Sequence, residues 1–377
     1  MNLALRHWTG DEVTKSTAVD RRQYQTLDGL RGVAALSVVV LHTPHFFGGW
    51  NLPYSFLSVD LFFVLSGFVL AAAYETRLRA GIMTAASFFR IRLIRLYPLY
   101  LLGTLLGVPV ALMAIKYGAN GLSVDWSLRV FMASLPFSIL MLPMPTAGSD
   151  GVLYPFNPVL WSIFFEIVVN VLYAWLAKPL GDTKKLVALV GVSAAALVAY
   201  AVQADTLDAG FSWFTFMGGL SRMMFSFFCG VLIYRFRQPG KIHSSALALV
   251  LLALLLTILG APHTKLSAVV AILLLFPAIV LFASSVEPGK ALQRTFGLLG
   301  VTSYAVYALH KPLYQMLLGF LIIASPVRPA SMAPWIGIAY LFVVFAGCLL
   351  VDRFYDAPLR QLLGGLQKKR RGSGSLA

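Results

Sequence analysis

The sequence predicts an all-α polytopic integral membrane protein of about ten transmembrane helices, with both termini in the cytoplasm. Of its 377 residues, 59% are hydrophobic and only 12% are charged, whereas soluble domains average about 25% charged residues. Apolar runs of about 20 residues recur along the chain, and that length suits a helix that crosses a membrane. A transmembrane β-barrel would instead show segments of about ten alternating residues.

The apolar runs define ten candidate spans, and most basic residues lie in the breaks between them. The spans lie at about 27–43, 57–75, 94–115, 158–178, 186–203, 214–234, 244–261, 266–286, 297–323 and 334–352. With ten spans and a cytoplasmic N-terminus, every basic break falls on the cytoplasmic side, as the positive-inside rule requires. Counting a further apolar run at 126–142 as an eleventh span would place every later basic break on the outside. We therefore predict an interfacial or re-entrant element there, within a large outer loop at 116–157.

The spans are expected to form one membrane domain, at 24–360, between two cytoplasmic segments. Segment 1–23 lacks the apolar run of a cleaved signal peptide and is expected to remain. The basic tail 361–377 ends in a Gly/Ser-rich stretch that is expected to be disordered. The net charge of +15 indicates orientation in the membrane and no nucleic-acid partner.

The first span, LDGLRGVAALSVVVLH, carries charged and titratable residues inside an apolar helix. Arg31 and His42 are 11 residues apart, so they share one helix face and lie about 16 Å apart along the axis. Asp28 can pair with Arg31 on that face. Charges within a span are rare and need a partner or a function. The alternative is a structural ion pair and an interfacial histidine.

The second span begins SVDLFFVLSGF and places Asp60 at the outer level of His42. The short connection makes these two helices antiparallel neighbours, so Asp60 is predicted to reach the imidazole and set its tautomer. Ser66 lies near the middle of the membrane. It can line a cavity or simply permit close helix packing.

The stretch SFFRIRLIRLYPLY places Arg90, Arg92 and Arg95 at the cytoplasmic mouth of the third span. Arg92 and Arg95 are three residues apart and share a face. Guanidinium forks suit phosphate recognition, whereas a topology signal needs only positive charge. The residues alone leave both interpretations open.

Two later spans also carry buried polar residues. The fourth contains WSIFFE and thus Glu166, a carboxylate that needs a partner or a proton there. The ninth holds SYAVYALHKPLY, in which Ser303, Tyr304, Tyr307 and His310 recur at helical spacing and can line a polar cavity. His310 can equally be a structural histidine.

Together these features fit two classes of membrane protein. One is an enzyme that takes an anionic, phosphate-bearing donor from the inside and acts outward, with a histidine to accept a proton from a hydroxyl. The other is a proton-coupled transporter or exporter in which His42, Glu166 and His310 form a relay. The inverted repeats that are common in transporters are not evident in the sequence. A scaffold with structural polar residues is a third alternative.

Five of these stretches, in this order, resemble the membrane-bound acyltransferase-3 family along about 24–360. They are LDGLRGVAALSVVVLH, SVDLFFVLSGF, FFRIRLIRLYPLY, WSIFFE and SYAVYALHKPLY. The resemblance implies transfer of an acyl group, most often acetyl, from cytoplasmic acyl-CoA to a hydroxyl of an extracytoplasmic acceptor such as an envelope glycan. It also implies a location in the inner (plasma) membrane.

The resemblance also implies roles for individual residues. The family's Arg/Lys-x10-His motif falls on Arg31 and His42, which gives His42 the catalytic role. Its Arg-x-x-Arg motif falls on Arg92 and Arg95, which are associated with the acyl-CoA donor. Asp356 stands where family members commonly carry Glu.

The predicted site follows from the residues and the resemblance together. We expect His42 to be the base and Asp60 or Glu166 to orient it, with an acyl-histidine intermediate as the main variant. The donor-binding residues are Arg31, Arg92 and Arg95, and the possible cavity lining is Ser66, Tyr304 and His310. No metal is expected, because the histidines and carboxylates lie on separate helices without ligand spacing. No permanently bound cofactor is expected, because acyl-CoA is a substrate.

Overall fold

The computed structural model describes residues 24–118, 124–145, 151–238, 240–262, 264–324 and 329–373. The N-terminal segment 1–23 and the end of the tail lie outside the described residues. The helices are α1 Gln25–His42, α2 Ser58–Arg79, α3 Ala85–Tyr117, α4 Leu128–Ile139, α5 Trp161–Leu176, α6 Thr183–Gln203, α7 Phe216–Phe236, α8 Ser245–Gly260, α9 Lys265–Val270, α10 Phe276–Ala283, α11 Lys290–Ala324, α12 Trp335–Val351 and α13 Ala357–Ser373. Single π-helical turns join α9 to α10 and α12 to α13.

The predicted all-α membrane class is confirmed. Within the described residues, seven helical stretches are long and apolar enough to cross a membrane: Ser55–Arg79, Ala85–Tyr117, Pro158–Leu176, Thr183–Gln203, Trp213–Phe236, Lys265–Ala283 and Trp335–Gly365. Three further predicted spans correspond to α1, α8 and α11. Helix α8 has only 16 residues, and α1 and α11 carry polar residues of the predicted site. The count of ten and the side on which the termini lie therefore stay predictions.

Helix α4 occupies the predicted interfacial element of the outer loop. Its 12 residues extend for about 18 Å, less than the roughly 30 Å of a hydrocarbon core. Two tyrosines of α3 hold its C-terminal end: Tyr97 donates to the carbonyl oxygen of Ile139 (2.8 Å) and Tyr100 to that of Ser138 (2.7 Å). The loop therefore packs back onto the bundle.

Helices α1 and α11 run parallel and pack closely, because glycines stand at their contact. A Cβ atom at Gly32 would lie 2.4 Å from Cβ of Leu299, and one at Gly300 would lie 2.4 Å from Cβ of Asp28. Small residues allow helix backbones to approach in this way. Two helices separated by about 250 residues of chain thus become neighbours along their length.

A short parallel pairing joins β1 (Ile242–His243) to β2 (Val286–Glu287). Buried Glu287 ties it to the start of α1, because its carboxylate accepts from the backbone N–H of Gln25 (2.9 Å) and from Nζ of Lys241 (3.0 Å). Burial raises the pKa of Glu287, and the Lys241 ammonium acts in the opposite direction.

Candidate active site

A row of polar side chains follows one face of α11 through the bundle interior. Tyr304, Tyr307 and His310 are spaced by three residues, so the row extends for about 9 Å. The Tyr304 hydroxyl donates to the carbonyl oxygen of Leu96 in α3 (2.6 Å). The Tyr307 hydroxyl lies 2.7 Å from Oγ of Ser162. We call the end of the bundle at His42 the histidine end, and the end at which α3 begins the arginine end.

His310 meets His42 at the histidine end. Nε2 of His310 lies 3.0 Å from Nδ1 of His42. Nδ1 of His310 lies 3.0 and 2.8 Å from the carbonyl oxygens of Val306 and Tyr307, so that nitrogen carries the proton. In neutral His310, Nε2 is then an acceptor for the N–H at Nδ1 of His42, which also faces the Val38 carbonyl oxygen at 3.0 Å. The hydrogen-bond partners therefore assign the tautomers.

This tautomer of His42 leaves its other ring nitrogen, Nε2, without a proton. With its proton on Nδ1, His42 keeps a lone pair on Nε2, which is the state that a general base needs. His310 is fully buried, whereas His42 is partly exposed. The pair thus combines a fixed inner imidazole with an outer one that a substrate can approach.

The predicted contact between Asp60 and His42 is wrong. Asp60 instead pairs with Arg222 of α7: Nη2 lies 2.6 Å from Oδ2 and Nε lies 3.1 Å from Oδ1. Both side chains are fully buried. Arg222 also donates to the carbonyl oxygens of Ala209 (2.7 Å) and Phe56 (3.1 Å). A buried carboxylate requires such a partner, so Asp60 is held by the guanidinium.

Sequence reasoning missed Arg222, although a signal was present. The residue is the one charge between 212 and 234, within the sixth apolar run. A charge in that position needs a partner of opposite sign. The same rule, that a charge within an apolar span needs a partner or a function, was applied to Arg31 in the first span.

Glu166 does not orient His42 either. Its Oε1 accepts from Nη2 of Arg92 (2.5 Å) and from Oγ of Ser66 (3.0 Å). Glu166, which was predicted to orient His42, is thus the partner of Arg92, which was predicted to bind the donor. Ser66, predicted as cavity lining, belongs to the same polar cluster.

The other two predicted donor-binding arginines, Arg95 and Arg31, are also paired. Nη1 of Arg95 lies 3.4 Å from Oδ2 of Asp356, and its guanidinium lies 5.5 Å from the centre of the Tyr304 ring. Arg31 forms the expected pair with Asp28 (Nη1 to Oδ1, 3.3 Å). Tyr304 therefore lies beside an arginine, which places this cluster at the start of the polar row on α11.

Arg92 and Arg95 lie inside α3, which begins earlier than the predicted third span. Helix α3 begins at Ala85, nine residues before the predicted span, because the basic stretch continues the helix. Arg92 is seven residues into α3, or about 10 Å. Arg90 is exposed, whereas Arg92 and Arg95 are half-buried.

Lys311 brings a further cation to the histidine end. In the described part of the chain it forms no hydrogen bond and no ion pair. Its electrostatic interactions are with His42, His310 and Asp208, which lies in the connection between α6 and α7. Among the same residues, no cluster of three or more His, Cys, Asp or Glu side chains is arranged to hold a metal ion.

The helical bundle and its buried polar row define an all-α membrane protein with an interior site. The chain belongs to the acyltransferase-3 family, because residues 24–353 match the family's acyltransferase domain. It is therefore a membrane acyltransferase. The chain is 40% identical over 183 residues to "Protein 2 in picA locus" of Rhizobium radiobacter, an alignment that covers 47% of this chain and 94% of that relative. No solved structure matches the chain.

Proposed function

We propose that the protein lies in the inner (plasma) membrane and transfers an acyl group from cytoplasmic acyl-CoA to a hydroxyl of an extracytoplasmic glycan or similar acceptor. The acyl group that we propose is acetyl. The observation that carries the proposal is the hydrogen-bonded histidine pair, in which the proton of His42 lies on Nδ1 and the lone pair on Nε2. The polar row on α11 connects this pair with the arginine cluster, so donor and base share one interior route.

The donor binds through Arg31, Arg92 and Arg95. Guanidinium forks match the oxygens of phosphate groups. The side chains of Arg31 and Arg95 are 29% and 27% exposed, and that of Arg92 is 14% exposed. A phosphate therefore reaches Arg31 and Arg95 directly. Arg92 remains paired with Glu166 unless the donor displaces that carboxylate.

In the chemical step, the acceptor hydroxyl attacks the thioester carbonyl carbon while Nε2 of His42 takes the hydroxyl proton. The tetrahedral oxyanion then collapses, the carbon–sulfur bond breaks, and the CoA thiolate takes the proton from the imidazolium. Nε2 of His310 accepts from Nδ1 of His42 throughout and stabilises the positive charge. The Lys311 ammonium is the nearby cation for the oxyanion. In the variant mechanism, His42 itself carries the acyl group.

The test uses purified protein in nanodiscs with radiolabelled acetyl-CoA and extracted envelope glycans. The wild type should label a glycan, and His42→Ala should retain CoA binding while kcat falls by about 100- to 10,000-fold. Acyl transfer by His42→Ala at the wild-type rate would exclude His42 as the general base. Arg92→Ala/Arg95→Ala should lose CoA binding while the protein remains folded.

The transporter hypothesis requires His42, Glu166 and His310 to pass protons to one another. In the structure Glu166 contacts Arg92 and Ser66, whereas His42 and His310 contact each other, so the relay lacks a link between Glu166 and the histidines among the described residues. Proteoliposomes separate the two functions, since a transporter would move solute in the absence of any acyl donor.

A further inference from the structure

Asn170 lies in α5, one turn beyond Glu166, and is fully buried. Neither its Oδ1 nor its Nδ2 has a hydrogen-bond partner among the described residues. Buried side-chain polar atoms in native proteins almost always have a partner, in the protein or outside it. Leaving both ends of an amide unpaired costs free energy that packing does not return. The side chain is therefore suited to a partner that the chain does not supply.

Asn170 lies on a helix face that leads from the arginine end to the Arg92–Glu166 pair. Glu166, Asn170 and Tyr173 share one face of α5, and we call them the α5 row. Tyr173 is buried and its hydroxyl also lacks a partner in the described part of the chain. It interacts electrostatically with Arg235 near the arginine end. The α5 row thus extends for about 10 Å from that end to the Arg92–Glu166 pair.

The chemistry of the unpaired groups fits one part of the proposed donor. An Asn side chain presents one carbonyl acceptor and an NH2 donor, which complement the N–H and C=O of a secondary amide. The pantetheine arm of acyl-CoA contains two secondary amides. Nε of Arg92, next along the route, is likewise buried without a partner in the described residues.

We propose that Asn170 binds an amide of the pantetheine arm as the donor extends from the arginine end towards His42. This inference rests on the proposed use of acyl-CoA. It makes Asn170 a binding residue that distinguishes a pantetheine thioester from other thioesters and does not itself take part in the chemical step.

The variant Asn170→Leu tests this, because Leu has a similar volume and no polar atom. Removing the unpaired amide should raise the melting temperature of the free protein. It should also weaken CoA binding about tenfold, as expected for loss of the paired hydrogen bonds. Binding of adenosine 3′,5′-bisphosphate, which has no amide, should not change. Calorimetry on the purified full chain in nanodiscs measures both affinities.

Asn157→Leu is the matched control, because Nδ2 of Asn157 donates to the carbonyl oxygens of Ala308 (2.8 Å) and Gly103 (3.3 Å). It should lower the melting temperature, opposite to Asn170→Leu. Unchanged CoA affinity in Asn170→Leu would overturn the inference and assign a buried water to Asn170. An equal loss of affinity for CoA and for adenosine 3′,5′-bisphosphate would also overturn the inference, because it would show a general structural effect of the substitution. Failure of the wild type to bind CoA would overturn the proposed function, and the inference with it.

Discussion

The proton on His42 is placed by the backbone of another helix. Two carbonyl oxygens of α11 hold the proton of His310 on Nδ1, and the Tyr340 hydroxyl donates to the carbonyl oxygen of His310 (2.7 Å). The imidazole of His310 therefore presents an acceptor to His42. In many catalytic triads a carboxylate accepts the corresponding N–H of the histidine, whereas the acceptor here is a neutral imidazole.

Substituting His310 tests whether it positions His42. In His310→Phe the acceptor for Nδ1 of His42 is lost, so we expect kcat to fall about 100-fold with the KM for acetyl-CoA unchanged. His310→Gln keeps a carbonyl acceptor and should restore part of kcat. Steady-state kinetics on both variants measure the difference. Equal activities of the Phe and Gln variants would contradict a positioning role.

Lys311 tests the oxyanion assignment. Lys311→Met removes the ammonium beside the histidine pair, and kcat should fall about 100- to 1,000-fold, the usual cost of losing an oxyanion donor. Lys265→Met is the control, because Nζ of Lys265 donates to the carbonyl oxygen of Ala204, away from the pair. It should leave kcat unchanged. If Lys311→Met instead raises only the KM for the acceptor, Lys311 recognises an anionic acceptor.

At the scale of the elements, the contact between α1 and α11 creates the site. Glycines allow the two backbones to approach along their length, and the histidines meet at the end of that contact. Helix α1 supplies His42 and Arg31, and α11 supplies the polar row. A change in the spacing of these two helices should therefore affect activity before it affects the fold.

Gly32→Val tests this dependence on helix spacing. The new side chain would overlap Leu299 and force α1 away from α11, with a destabilisation of about 1–3 kcal/mol. We expect transfer activity to fall by more than the loss of folded protein explains. Gly297→Ala in α11 is the control, since a Cβ there meets no atom within 4 Å. Thermal melts and transfer assays on the same samples give both quantities, and a fall in activity that only matches the loss of folded protein would disprove the dependence.

At the scale of the whole molecule, the polar helices lie against apolar ones. Helices α1 and α11 carry the histidine pair and fall outside the seven stretches that are apolar enough to span by composition. Most of α1 is nevertheless buried. Surrounding helices cover such segments, so a helix with polar residues can stand in a membrane protein interior.

The predicted orientation can be tested on the intact chain. Ten spans and a cytoplasmic N-terminus place the C-terminus in the cytoplasm and the α4 loop outside. A green fluorescent protein fused to the C-terminus should therefore fluoresce, and alkaline phosphatase fused after residue 145 should be active. A dark C-terminal fusion together with active phosphatase at the C-terminus would show an odd number of spans.

Much of the fold could be predicted because its cause is local. The length and hydropathy of each run determine a helix, and the spacing of three residues determines the Asp28–Arg31 pair. The basic stretch before the third span was the exception, because arginine is a good helix former and α3 simply begins earlier. The short helix α4 lies within the apolar run for which an interfacial or re-entrant element was predicted, and its place in an outer loop stays a prediction.

The sequence by itself determined the membrane class, the helices, the family and the residues that carry charge inside the bundle. Only the tertiary structure decided which residues of different helices are partners. Asp60 pairs with Arg222, Glu166 with Arg92, and His42 meets His310, which is 268 residues away. Local spacing places a residue on a face of its own helix. Its partner depends on which helices pack together, and small residues at distant contacts such as Gly32 control that packing.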